Sequence, residues 1–374
     1  MEASGEARRH PQARRPAAGE TGWRAVARAL EGRPGGRARG EFWVGRDLLF
    51  ALGLDDTPAG LVRAWLEAGM DLGCFPVADA PGPAGPATGS AAGPGKAEAR
   101  ERGRPRAPTY LHRRFSPAEL RSGLAGARAP LGMERLFLFV GLDGPLGRWS
   151  LKLGPLQALE RLAAQPQQAA RELEEEASRA SELLREARRA LPGLRGVLLC
   201  DDLAYQRSSF LSPASLSLLL LPLYRRLAQE CRALGLWAVL HSDGNFSPLL
   251  PALRQAGFCG VNCDPECLDP FLLRAQAPEW ALFTGVPSSW LLSSVAPEDV
   301  AAGAGLPRCG GVRPDAGAAA DPSPVPDQEG AAGVARAFVA LSATGGAVLS
   351  SACGVADLAS WRRLLRVYRE VEGA

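Results

Sequence analysis

Residues 196–245 read GVLLCDDLAYQRSSFLSPASLSLLLLPLYRRLAQECRALGLWAVLHSDGN, and they hold the pattern that decides the fold. Gly196–Asp201 is a short apolar run ending in two acids, Asp201 and Asp202. Ser212 then caps a helix that starts on Pro213 and carries an apolar stripe to Leu234. Leu236–His241 is a second short apolar run, ending in His241, Ser242 and Asp243. A brief Val/Leu run with few charges is what a strand buried on both faces looks like. The stretch is therefore strand, helix, strand, with polar residues at the carboxyl end of each strand.

The same alternation extends outward. Met70–Val77, Arg135–Gly141, Phe258–Cys263, Ala281–Val286 and Ala347–Ser351 add five strand candidates. Helical patterns cover Thr57–Ala68, Gln167–Ala190, Ser247–Ala256, Pro297–Ala302 and Ala356–Glu372. Repeated this often, the order means an α/β fold with a parallel sheet. Periodicity alone fits either an open sheet or a closed barrel. No G-x-G-x-x-G follows an early strand, which removes support for a dinucleotide-binding unit.

Composition sets the remaining bounds. The chain has 374 residues, 46% of them hydrophobic, enough for a large core. Its 43 basic and 40 acidic residues nearly balance, giving no argument for nucleic acid or an acidic membrane surface. No apolar run approaches the roughly 18 residues of a membrane span. There is no apolar signal core, and Glu2, Glu6 and Glu20 count against an organelle transit peptide, so the cytoplasm is the expected location. Residues 1–40 read as a disordered arm, with a turn or two of amphipathic helix at Trp23 to Leu30. Residues 79–108 and 303–329, rich in Pro, Ala and Gly, read as flexible insertions into one domain spanning 41–374. The eight Cys are scattered, and the spacing of Cys259, Cys263 and Cys267 suits no zinc motif.

In a sheet of parallel strands that closes on itself, carboxyl ends converge on one mouth. Asp202, His241 and Asp243 are then candidates for a shared site, where carboxylates beside one imidazole can hold different protonation states. Asp264 and Glu266, after the Phe258–Cys263 run, read instead as caps of the next element. Tyr205 and Arg207 lie in the loop after the first of the two strands, where they could touch an anionic ligand.

Several linked motifs carry a resemblance. Leu198-Leu199-Cys200-Asp201-Asp202-Leu203-Ala204-Tyr205-Gln206, Phe210-Leu211-Ser212-Pro213, Leu221-Pro222-Leu223-Tyr224 and His241-Ser242-Asp243-Gly244-Asn245 resemble the uroporphyrinogen decarboxylase family. So do Ala256-Gly257-Phe258, Gly260-Val261-Asn262, Asp143-Gly144-Pro145 and Ala68-Gly69-Met70-Asp71. The resemblance implies a (β/α)₈ barrel acting on a porphyrinogen or a related poly-carboxylate tetrapyrrole without a cofactor. It implies that Asp71 steadies a protonated pyrrole, that Arg46 holds substrate carboxylates, and that Asp202, His241 and Asp243 line the site. Cys353 stands where the decarboxylases carry a His, and a Tyr they place after the Gly-Pro turn is missing. The family also contains methyltransferases that work with a corrinoid protein through a His-x-Cys zinc pair. Asp243 replaces that Cys here, so the expectation is weak zinc affinity and no metal. Carboxy-lyase activity is the first expectation. A corrinoid-dependent methyltransferase and a barrel that binds without catalysis are the alternatives, with a homodimer as a candidate assembly.

Overall fold

The computed structural model describes residues 22–79, 113–125, 132–292 and 328–373. Its strands are β1 (Leu72–Pro76), β2 (Phe137–Asp143), β3 (Leu194–Cys200), β4 (Ala204–Tyr205), β5 (Ser208–Ser209), β6 (Trp237–His241), β7 (Gly260–Asn262), β8 (Ala281–Gly285) and β9 (Ala347–Ser350). Seven of them pair in parallel in the order β1-β2-β3-β6-β7-β8-β9, while β4 and β5 form a small antiparallel hairpin after β3. Every strand read from the apolar runs is present. The two expected insertions fall almost entirely outside the described residues, and the helix expected at Pro297–Ala302 does so completely.

Side chains alternate across the strands, so the curled sheet has two cores. Leu72, Cys74, Phe137, Phe139, Leu198, Val239, Ala281, Phe283 and Val348 fill its interior. Phe75, Leu138, Val140, Val197, Leu199, Leu240, Leu282 and Leu349 pack outward against helices. Proline, abundant in this chain, opens helices rather than breaking them. Pro58, Pro117, Pro213 and Pro270 take first-turn positions behind the capping side chains of Thr57, Ser116, Ser212 and Asp269. The exception is Pro222, which lacks the N–H an α-helix interior needs. The chain runs through a π-helical turn, Leu216–Leu220, and restarts as the helix Leu221–Ala233.

The expected eight-stranded closure is replaced by seven strands and a seam. Residues 38–44 span the gap between β9 and β1 without becoming a strand. Leu349 N donates to Ala38 O at 2.8 Å, Gly40 N to Leu349 O at 3.0 Å, and Asp71 N to Arg39 O at 2.8 Å. The ladder breaks there because a side chain takes the next donor, and it resumes at Val44, where Val355 N donates to Trp43 O at 3.0 Å and Gly45 N to Val355 O at 2.7 Å. Ser351 N gives its hydrogen bond to the Glu41 carboxylate, at 2.9 Å, instead of to backbone. Phe42 meanwhile turns inward, with its ring centroid 5.2 Å from those of Phe139 and Phe283.

The arm expected over 1–40 holds a fixed element. The helix Trp23–Leu30 buries Ala25, Val26, Ala29 and Leu30 against the amino end of the sheet, within the interior core. Only one or two turns were legible there, because the apolar face of this helix is short and flanked by Arg and Gly. Its fit is close: a Cβ on Gly346, just before β9, would sit 1.8 Å from Ala29 O. Gly346→Ala should therefore destabilise the fold by about 2 kcal/mol or more, as overpacking of backbone commonly does. Gly36→Ala, at a position with nothing within 4 Å of a new Cβ, should change little. Urea unfolding midpoints of the two variants check this.

Candidate active site

The polar residues at the carboxyl ends of the strands form one cluster. His241 ends β6 and is buried. Its Nδ1 lies 2.8 Å from Asn262 Oδ1 at the end of β7. The Asn262 amide nitrogen donates to Phe283 O at 2.9 Å and Ser351 O at 3.0 Å. Both partners accept only, so the amide nitrogen must face them and its oxygen must face the imidazole. Nδ1 then carries the proton, and Nε2 presents a lone pair. Burial lowers the His241 pKa, against the pull of Asp202 and Asn262, which favours that neutral ring.

Two carboxylates face Nε2. Asp202 Oδ1 is 3.8 Å away and Asp243 Oδ1 3.9 Å away. They are carried by two loops locked together. Asp243 N donates to Asp202 Oδ1 at 3.1 Å, Leu203 N to Ser242 Oγ at 2.9 Å, and Asn245 N to Tyr205 O at 2.8 Å. Gly244, at φ +77°, lies so close to the hairpin backbone that a Cβ would meet Tyr205 O at 2.5 Å. These bonds hold like charges together. Burial, with the charges of Asp202 and Asp264, pushes the Asp243 carboxyl well above its ordinary range.

One nitrogen and two oxygens, one from each of Asp202, His241 and Asp243, lie within 4.8 Å of one another. An imidazole with a free Nε2 and a buttressed Nδ1–H is a metal-ready ligand, and a crowded pair of carboxylates gains from a cation. The set fits a divalent first-row metal through nitrogen and oxygen. With Asp243 where the resemblance puts a Cys, this is a harder ligand set than a His-x-Cys pair. Cys259, Cys263 and Cys267 join no metal-ligand cluster among the described residues.

Neighbouring groups frame the cluster. Trp43, from the seam, sets its ring edge-to-face on His241 with centroids 4.6 Å apart. Asp143, at the end of β2, is paired with Arg114, whose Nη2 donates to Oδ1 at 3.0 Å. Asp201 has a structural role. It is fully buried and accepts from Gly147 N at 2.5 Å, Leu146 N at 3.3 Å and the Tyr224 hydroxyl at 2.8 Å, which fixes the start of the helix Pro145–Leu153. Asp264 makes a turn by accepting from Glu266 N at 2.9 Å, as a capping side chain would, yet its charge also reaches Asp243.

The other expected site residues divide. Arg46 follows the seam at the same end of the sheet, and Asp56 lies 3.7 Å from its Nε. Tyr205 stands on the β4–β5 hairpin with its ring exposed beside Phe210, on the rim. Cys353 lies in the turn after β9, where burial raises its thiol pKa and the charges of Glu41, Asp264 and Asp243 reach it. Asp71 is at the opposite end. It precedes β1 and accepts from Gly22 N and Arg39 N, tying the amino-terminal helix to the seam. The resemblance puts it at the mouth, although an acid that opens the Met70–Val77 run belongs at the amino end of its strand. Asn262, Glu41, Trp43 and Arg114 were missed. Of these only Asn262, an amide inside an apolar run, left a readable signal.

No family model matches the sequence, and no curated protein matches it. The fold does have a solved counterpart. It is similar to a methyltransferase from Methanosarcina mazei, with a TM-score of 0.61 over 95% of this chain and 99% of the other, at 15% identity. At that identity the likeness establishes the fold, a mixed α/β structure around a curled parallel sheet.

Asp71 provides a pH test of its structural role. Burial raises its pKa from 3.8 to about 6 against the donors Gly22 N and Arg39 N. A raised carboxyl stabilises the fold below the unfolded pKa, and this contribution is lost as pH climbs through about 6. Relative to Asp71→Asn, the natural protein should lose on the order of 2–3 kcal/mol between pH 4 and pH 7, read from urea midpoints. The Asn variant should leave the surroundings of His241 unchanged, since Asp71 is a strand-length away from it.

Proposed function

We propose that this protein is a metal-dependent methyltransferase, with Asp202, His241 and Asp243 as the metal ligands and a thiol as methyl acceptor. The observation that carries the reading is the convergence of these three side chains around an imidazole whose tautomer Asn262 fixes. The shared fold with a methyltransferase supports it. The carboxy-lyase expectation is weaker on the same grounds. Its central carboxylate, Asp71, serves the other end of the sheet, and Arg46 has Asp56 within ion-pair distance.

A divalent cation at the three ligands would supply Lewis acidity that makes a thiolate available at neutral pH. The rest falls to the chain itself. Asn262 keeps His241 neutral and aimed, through Nδ1–H, at the mouth. The locked loops hold Asp202 and Asp243 in place, so no reorganisation is needed when the acceptor arrives. Trp43 packs against His241 in a T-shaped contact that limits the ring's movement. In the transfer, the acceptor sulfur forms a bond to the methyl carbon while the donor keeps the electron pair of the bond that breaks. The thiol proton leaves to solvent through the open side of the mouth, where Asp202 and Asp243 are both partly exposed. A methylated corrinoid protein is the donor this reading favours, with Tyr205 and the β4–β5 hairpin as part of its landing rim.

Titration of the purified protein with Zn²⁺, Mn²⁺ or Co²⁺ should give one site per chain, and Asp243→Asn should weaken it roughly tenfold or more. With metal loaded, methylcobalamin and a simple thiol should yield the thioether and cob(I)alamin, followed by absorbance, and His241→Ala should abolish the reaction. Absence of both metal binding and demethylation overturns the reading. Release of CO₂ from uroporphyrinogen would restore the carboxy-lyase.

A further inference from the structure

Glu41 has no role in the site as described, yet it is one of the most enclosed charged side chains of the fold, with no exposed surface. No cation pairs with it among the described residues. It instead grips a single residue twice, accepting from Ser351 N at 2.9 Å and Ser351 Oγ at 2.6 Å. That hydroxyl in turn accepts from Gly354 N at 3.0 Å, so the turn after β9 is built on this carboxylate. Ser351 O, on the same residue, accepts from Asn262 Nδ2 at 3.0 Å, and Asn262 Oδ1 faces His241 Nδ1 at 2.8 Å. Four residues therefore form one buried hydrogen-bonded line from the seam to the candidate metal ligand: Glu41, Ser351, Asn262, His241.

We propose that Glu41 is the positioning residue for His241, fixing through Ser351 and Asn262 which imidazole nitrogen carries the proton. Nε2 lies 3.8 Å and 3.9 Å from the two carboxylates, too far for either to accept a hydrogen bond from it. The choice of tautomer therefore rests on the Nδ1 side alone. Asn262 can accept there only while its amide nitrogen is held by Ser351 O, Phe283 O and the weaker contact to Ser350 Oγ at 3.3 Å. Ser351 stays in register because the carboxylate takes both of its donors. A carboxamide keeps only half of this grip: its oxygen can accept from Ser351 N, but its amide donates to Ser351 Oγ, which must then turn its own proton elsewhere. Burial pushes the Glu41 pKa up to about 8, against the two Ser351 bonds, so the carboxylate that takes both donors prevails above that pH.

The inference deepens the metal-site reading, and its test is independent of metal. The chain has three histidines, His10, His112 and His241, so ¹⁵N-histidine spectra of the metal-free protein are simple, and His241→Gln assigns the resonance. At about pH 9.5, where Glu41 is ionised, the His241 ring should be in the Nδ1–H form. In Glu41→Gln the Nδ1–H population should fall at least about twofold, and Zn²⁺ affinity, measured by chelator competition, should drop roughly 10- to 100-fold. Ser351→Ala, which keeps Glu41 and removes one of its two donors, should shift the tautomer in the same direction by less. An unchanged single tautomer in a folded Glu41→Gln protein overturns the proposal. So does an Nε2–H ring in the natural protein. If Glu41→Gln does not fold, Ser351→Ala decides by the same criterion. A lowered melting temperature with an unmoved tautomer would make Glu41 merely structural and also overturns it. A tautomer shift in a protein that takes up no metal would uphold the relay and sink the metal reading instead.

Discussion

The seam between β9 and β1 is the constraint on which the rest of this structure depends. Seven strands curl far enough to enclose a core but leave one lateral gap, and unpaired backbone in that gap would cost a buried donor or acceptor at every residue. Residues 38–44 meet the need with a few backbone bonds and then diverge. Phe42 goes inward to complete the aromatic interior, Glu41 turns to the β9 turn, and Trp43 reaches His241. Three consecutive side chains thus serve the core, the scaffold of the site and the site itself. A regular eighth strand, with its strict alternation, would have sent Glu41 and Trp43 to one face and Phe42 to the other.

The cluster at the mouth is an electrostatic problem solved by backbone. Two carboxylates sit near one imidazole in partly enclosed surroundings, and among the described residues neither is paired with an Arg or Lys. The loops that carry them hold each other through Ser242, Asn245 and the positive-φ Gly244. The Asp243 carboxyl relieves the repulsion by holding its proton, which a bound cation would displace. Asp201 shows the contrast. With two backbone donors and a tyrosine hydroxyl it is satisfied within the fold, and although burial pushes its pKa up to about 7 it has nothing left to offer a ligand.

How far the sequence could be read follows from the range of each interaction. Strands buried on both faces announce themselves as short apolar runs, so all seven were legible, and polar residues directly after them pointed to Asp202, His241 and Asp243. The helices Pro145–Leu153 and Pro155–Ala164 were missed, because Gly and Pro at their joints resemble loop punctuation while in fact opening each helix. Asp71 was misassigned because its role came from the resemblance, while its place ahead of β1 already put it at the amino end. Glu41 was invisible for a different reason. Its partner lies 310 residues away, and nothing local marks an acid as the anchor of a distant turn.

That same separation has a consequence for synthesis. Residues 38–44 leave the ribosome long before residues 347–355 exist. At about 5–20 residues per second, the wait is on the order of 15–60 s. During it Phe42 and the inner faces of β1 and β2 have no complete enclosure, and Asn262 lacks one of the carbonyls that orient it. The nascent sheet is thus an open trough whose adhesive lining faces solvent until β9 docks. Any product that stops short of β9 keeps that lining exposed, which makes premature termination of this chain a matter for chaperones and proteases rather than a source of partially active protein.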